Sequence, residues 1–187
     1  GSLESDGLDA VDNLMANTRN NPVEEMELTA PLRCELYELQ DASHGAGKWR
    51  GGIGARKIWR FLAETHASST GDNRSIDPPR GLFGGAAGRA GSITHITTTG
   101  ERHALPAKVS NHAFAEGDAL EISLVSGAGY GDPFERDPAL VLVDVKSGLL
   151  TTDDAREIYG VAVSSDGRSC DSEATRALRR AQSEQAS

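Results

Sequence analysis

Glycine is the strongest constraint on what this chain can fold into. Its 187 residues include 21 glycines, and many of them gather in three places: residues 45–52, 81–91 and 126–133. Glycine reaches positive φ and lets backbones approach closely, but it stabilises neither helix nor strand interiors. These stretches therefore read as a turn-rich connector and two long loops, and the rest of the chain is cut into short elements. An apolar fraction of 37% fits a loop-rich protein in which a modest core holds many tight turns.

Between the glycine segments the periodicity is mostly that of strands. Leu32, Cys34 and Leu36 alternate with Arg33, Glu35 and Tyr37, the two-residue period of a half-buried strand. Residues 53–63 read as a second strand carrying Ile58, Trp59, Phe61 and Leu62, and further strands are predicted at 92–98, 104–110 and 119–125. Residues 65–77 read as polar and irregular. After Asp137-Pro138 the spacing of Leu140, Val141, Val143 and Val145 predicts a helix closed by Gly148. Thr151 and two aspartates then cap a second helix that ends at Gly160. Residues 172–185 have helix formers and almost no apolar face, which predicts an exposed tail helix. The fold class is α+β, mainly β: antiparallel strands with long glycine loops and short helices at the carboxy-terminal end. The expected division is an extended arm over 1–30, a mainly-β domain with terminal helices over 31–163, and a linker with the tail helix over 164–187.

A net charge of -9 with scattered basic residues argues against a nucleic-acid surface, since phosphate binding needs clustered Lys and Arg. No apolar run approaches the length of a membrane-spanning helix, and the first residues lack the basic and apolar regions of a signal peptide. A cytoplasmic protein with no membrane partner is expected. Cys34 and Cys170 fit neither a disulfide framework nor a zinc spacing. The five histidines are dispersed, so no metal site is expected in this chain. His95 and His103 flank a predicted turn and can approach each other, the one residual ligand reading.

The glycine loops can offer backbone N–H groups to an anion, although no phosphate-loop Lys-Ser/Thr follows either of them. For residues 127–131 tight chain packing is the favoured reading. For residues 81–91, beside Arg80 and Arg89, packing and anion binding weigh about equally. Arg19, Arg56, Arg74 and Arg80 sit among turn or strand residues, where a planar guanidinium suits bidentate pairing with carboxylates of a substrate or a neighbouring subunit. No nucleophile, base and orienting acid can be assembled from this sequence, so the catalytic residues stay unassigned.

Four stretches, in order, resemble one family. Asp6-Gly7-Leu8-Asp9 is followed by Met15-Ala16-Asn17-Thr18-Arg19-Asn20-Asn21-Pro22. Pro31-Leu32-Arg33-Cys34-Glu35-Leu36 leads into Gly45-Ala46-Gly47-Lys48-Trp49-Arg50-Gly51-Gly52-Ile53-Gly54. Pro78-Pro79-Arg80-Gly81-Leu82-Phe83-Gly84-Gly85 forms the third. The fourth is Gly129-Tyr130-Gly131-Asp132-Pro133-Phe134-Glu135-Arg136-Asp137-Pro138, with Ala155-Arg156-Glu157-Ile158-Tyr159-Gly160 behind it. Together they make residues 6–163 similar to the end of the hydantoinase B/oxoprolinase family, which includes acetone- and acetophenone-carboxylase subunits.

The resemblance implies a subunit of an ATP-dependent cyclic-amide hydrolase, contributing scaffold, subunit interface and site loops, and inactive alone. ATP and Mg would sit on an ATPase A-type partner subunit. A longer amino-terminal B-type chain would carry any divalent metal, with none bound by this chain. The substrate would be a small cyclic amide or, in the alternative of a ketone carboxylase subunit, a ketone; a non-catalytic assembly module is the second alternative. Asn17, Arg19, Arg80, Gly84, Gly85 and Arg89 are the substrate or interface candidates. The sequence departs from the family where many members carry a His-x-His pair just before the position of Met15 and this chain has Asp12-Asn13-Leu14. That loss tilts the reading toward a variant substrate or a carboxylase-like branch.

Overall fold

The structure, a computed structural model, describes residues 1–11, 19–40, 42–71 and 73–185. Its frame is a five-stranded antiparallel sheet in the order β1-β2-β7-β4-β5. These strands are β1 (Leu32–Leu39), β2 (Ala55–Phe61), β4 (Ser92–Ile96), β5 (Arg102–Leu105) and β7 (Ala119–Ser123). The alternation read at residues 32–36 is that of β1, whose Leu32, Cys34 and Leu36 are half-buried while their neighbours face solvent. A bulge between Cys34 and Leu36 breaks the β1–β2 register.

A second, two-stranded sheet pairs β3 (Thr65–Thr70) with β6 (Lys108–Phe114). It packs on the first through the rings of Phe61 and Phe114, 4.5 Å apart, and through His95 against Phe114 at the same separation. Two sequence expectations change here. The polar stretch read as irregular from residue 65 holds β3, because pairing with β6 supplies the ladder that its Thr and Ser side chains do not advertise. The single strand read over 104–110 is two, broken at Pro106, which has no N–H to continue a ladder.

The helices gather at the end of the chain as expected. Helix α2 (Pro138–Lys146) starts on Asp137, whose side chain accepts the Ala139 N–H at 2.8 Å. Helix α3 (Thr152–Tyr159) has a complete capping box between Thr151 and Asp154 and stops on Gly160 at φ 60°. Strands β8 (Ala162–Val163) and β9 (Cys170–Asp171) form a small antiparallel pair. Val141, Leu150, Ala155, Tyr159 and Val161 make the apolar core of this end, with Ala46 from the glycine connector.

Two further expectations are corrected. Residues 1–30 are not uniformly extended, since Val23–Thr29 forms helix α1 with Glu24 and Glu25 in its first turn, where carboxylates meet the positive end of the helix dipole. Helix α4 (Ser172–Gln185) is not merely an exposed tail. Its Thr175 is buried and accepts the Ala162 N–H, and its Arg179 donates to the carbonyls of Tyr159 and Arg136.

Candidate functional site

The three glycine segments meet and interlock. Gly45 N–H donates to the Gly127 carbonyl, Gly127 N–H to Gly52, Gly129 N–H to Ala86, and Ala86 N–H to Ala46, at 2.7–2.9 Å. Trp49 and Tyr130 exchange backbone bonds across the same seam, and Leu82 and Gly131 join it. Here the glycines are steric necessities: a Cβ on Gly51 would strike the Gly127 carbonyl, and one on Gly129 the Ala46 carbonyl. The favoured packing reading of residues 127–131 agrees with this mesh.

For residues 81–91 much of the backbone is taken up by packing within the chain. The N–H groups of Leu82, Gly85, Ala86, Gly88 and Gly91 all donate to carbonyls of the chain, and that of Arg89 donates to Ser126 Oγ at 2.7 Å. These six amides are engaged within the fold and are not offered to an anion. What the loop presents outward is apolar. Phe83, 77% exposed, and Leu82, 58% exposed, stand at its tip, with Phe83 held at φ 53° and its ring 5.1 Å from that of Tyr130. A bulky residue in the left-handed region is rare and costs about 1–2 kcal/mol.

Beneath the mesh lies an ion-pair network. Arg136, whose side chain is 1% exposed, donates through both terminal nitrogens to Asp6 at 2.7 Å and through one to Asp144 at 2.9 Å. Arg50 donates to both oxygens of Asp9 at 2.8 and 3.0 Å and to Asp144 at 3.2 Å. Burial alone would raise the Asp6 and Asp9 carboxyls. The hydrogen bonds and charge of Arg136 on Asp6, and of Arg50 on Asp9, outweigh it and hold both below the usual carboxylate range. Alongside, His44 shares a 2.9 Å hydrogen bond with the Tyr159 hydroxyl. Burial, then the charges of Arg50 and Arg136, depress the imidazole to about 4.

A second polar assembly joins the two sheets. Asp118 accepts from the amides of Thr98 and Ala115 and meets His95 Nε2 at 2.8 Å, while His95 Nδ1 lies 3.0 Å from His112 Nε2. Burial would raise Asp118, but its bonds to His95 and to the two amides keep it below its ordinary range. The approach of His95 to His103 read from sequence is a ring contact at 6.1 Å. Among the described residues no three His, Cys, Asp or Glu side chains cluster to hold a metal ion.

On the solvent side of the five-stranded sheet, a cavity of about 350 Å³ is lined by Glu38, Leu39, Gln40, Arg56, Arg89, Arg102, Glu121 and Ser123. Glu121 accepts from Arg56 at 3.1 Å and from Arg102 at 2.7 Å, and Arg56 reaches Glu38 at 3.5 Å.

The residues singled out from sequence divide accordingly. Asn17 lies outside the described residues, as do Asp12, Asn13 and Leu14. Arg19 is exposed. Arg80 is exposed and pairs with Asp77 at 3.4 Å. Gly84 stands at the loop tip at φ 94°, Gly85 packs against the Gly129 carbonyl in the mesh, and Arg89 lines the cavity. Sequence reasoning passed over Arg50 and Arg136. The signal was present: both, with Asp6 and Asp9, stand inside the stretches that carry the family resemblance.

Comparisons with known proteins agree on one relationship. A family model described as hydantoinase B/oxoprolinase matches residues 1–133. A putative D-/L-hydantoinase B-type subunit from Pseudomonas sp. (strain NS671) is 40% identical over 96% of this chain, which covers 30% of that relative. The crystal structure of the ATP-dependent caprolactamase from Pseudomonas jessenii matches 85% of the chain at a TM-score of 0.70 and 28% identity, over 28% of its own length. A nucleotide-free acetone carboxylase structure matches 99% of the chain at a TM-score of 0.80 over 29% of its length, and at 22% identity it shows the shared fold. The chain thus spans under a third of the length of each protein it matches here.

Proposed function

Since the chain belongs to the hydantoinase B/oxoprolinase family, we propose that it serves as the carboxy-terminal portion of the B-type subunit of an ATP-dependent cyclic-amide hydrolase of hydantoinase type. The observation that carries this reading is the 40% identity across 96% of the chain with a putative hydantoinase B-type subunit. In this role the chain supplies scaffold, subunit interface and site loops in the cytoplasm and is inactive alone. ATP and Mg are held by an A-type ATPase partner, and a longer amino-terminal B-type portion completes the subunit. Residues 1–11 belong to this scaffold, since Asp6 and Asp9 pair with Arg136 and Arg50. Arg19, Arg80, Gly84, Gly85, Arg89 and, outside the described residues, Asn17 are the substrate or interface residues of the reading. The apolar tip at Leu82 and Phe83 suits a partner surface, because large exposed apolar side chains mark contact sites.

A ketone carboxylase subunit is the second reading, favoured by the 29% identity over 85% of the chain with an acetophenone carboxylase delta subunit from Aromatoleum aromaticum. The two separate in one experiment. The complete B-type subunit is purified with its A-type partner and assayed with ATP for opening of a hydantoin or lactam ring, and in parallel for bicarbonate-dependent carboxylation of a ketone. Ring opening without bicarbonate supports the hydrolase. Carboxylation with no ring opening overturns it.

A further inference from the structure

Three arginines line the 350 Å³ cavity of the five-stranded sheet: Arg56 from β2, Arg102 from β5 and Arg89 from the end of the glycine loop. They do so in a chain whose net charge is -9, where gathering like charges costs energy that a merely soluble surface has no reason to spend. Glu121 answers Arg56 and Arg102, and Glu38 answers Arg56 again. Three positive groups against two carboxylates leave one charge unmet. It falls to Arg89, which makes no ion pair among the described residues. The backbone of Arg89 is nevertheless fixed, its N–H bonded to Ser126 Oγ and its carbonyl accepting the Ser126 N–H. A cationic side chain is thus anchored at its base beside the cavity.

The hydrogen-bonding account of the cavity is also incomplete. Arg56 Nε is a buried donor and Gln40 Oε1 a buried acceptor, each with no partner, and both residues line the space. Buried polar groups are ordinarily satisfied. With Leu39 the one apolar lining residue, the cleft has little to offer an apolar ligand. Its volume falls in the range of about 300–1,000 Å³ usual for small-molecule sites.

We propose that this cleft binds a small tetrahedral oxyanion of the size and charge of inorganic phosphate, with Arg89 and Arg102 as its outer clamp and Arg56 at its floor. Guanidinium forks match oxyanion edges through paired N–H donors, and three approaching from separate elements suit a tetrahedral ion. Glu121 is the internal competitor: it occupies two of the three guanidiniums when the site is empty, and Arg102, 51% exposed, is free to swing from it to the ion. Binding at this cleft is independent of which enzyme the chain serves.

The competition gives a test in which two substitutions move in opposite directions. The chain is titrated with sodium phosphate at constant ionic strength, potassium chloride replacing phosphate in the control, by calorimetry and by amide and Arg Nε–H chemical shifts. A saturable site is expected, weakened at least about five-fold by Arg89→Ala. It should be tightened several-fold by Glu121→Gln and left unchanged by Arg168→Ala on the remote turn after β8. If Glu121→Gln loses its native circular dichroism, Arg102→Ala takes its place and should weaken binding like Arg89→Ala. The proposal fails if phosphate shifts nothing beyond the chloride control, or if Arg89→Ala binds as the parent does. It also fails if bicarbonate binds more tightly than phosphate, which would make the site one for planar anions. Binding of an oligoglutamate peptide without binding of phosphate would likewise overturn it and make the cleft a protein-docking surface.

Discussion

His44 should make the fold acid-sensitive well above the pH at which its carboxylates protonate. The imidazole is 9% exposed, bonded at Nε2 to Tyr159, and its buried Nδ1 has no partner among the described residues. Burial first, then the charges of Arg50 and Arg136, lower it from 6.5 to about 4, against a smaller opposing effect of Asp9 and Asp6. The folded value is below the unfolded one. As pH falls through 6.5 the unfolded chain takes up a proton that the folded chain refuses, so stability is lost between about 6.5 and about 4 and is fully present above that window. At pH 5 the unfolded state gains a factor of about 30 in population, or about 2 kcal/mol. Asp6 and Asp9, held below 3.8, stay ionised in both states at pH 5 and contribute little there. The assay is urea unfolding at pH 7.5 and 5.0 at one ionic strength, on the parent chain and on His44→Gln, which retains a polar side chain to meet Tyr159. Comparing the two chains cancels the response of the other four histidines. The parent should lose about 2 kcal/mol more than the variant, and an equal loss in both would refute the reasoning.

Other expectations concern the seams. Arg136→Met should destabilise the chain by about 3–5 kcal/mol in urea, because it leaves the carboxylates of Asp6 and Asp144 without their shared cation; a loss under about 1 kcal/mol would mean that the network is screened by water. Gly129→Ala should cost about 1–3 kcal/mol or more, since its Cβ meets the Ala46 carbonyl, whereas Gly100→Ala, with open space around it but φ 85°, should cost about 1 kcal/mol. A cost at Gly129 no larger than that at Gly100 would show that the mesh gives way around an added Cβ. Thr151→Ala should remove about 0.5–2 kcal/mol by opening the capping box of α3, checked as a lowered melting temperature.

The legible part of this fold was the part written locally. Alternation announced β1, and Asp137-Pro138 with Thr151 and Gly160 announced α2 and α3 through caps that need only neighbouring residues. What stayed hidden depends on partners distant in sequence. β3 has no apolar stripe and exists because β6 lies beside it, some 40 residues away. Arg89 was legible as a cation beside a glycine loop. Its company in the cavity, Arg56 and Arg102, was not, because only the strand order β2-β7-β4-β5 brings them together. Which amides of residues 81–91 are engaged was hidden for the same reason: it depends on which carbonyls the fold brings to them.

The ion-pair network and the glycine mesh solve one problem from two sides. Where three glycine-rich loops cross through their glycines they bury little apolar area, so hydrophobic burial alone gives the crossing little stability. Their backbone bonds fix the register, and Arg50 and Arg136 then tie the crossing to α2 through Asp144 and to residues 6–9 through Asp6 and Asp9. Directional, bidentate pairs of this kind tolerate only one arrangement, and removing either partner leaves a buried charge. The Asp-x-x-Asp of residues 6–9, Arg50 and Arg136 therefore constrain one another as a set. A double-mutant cycle between Asp6→Ala and Arg136→Met should return a coupling of about 2 kcal/mol or more. A coupling near zero would mean that residues 1–11 lie on the domain without holding it together.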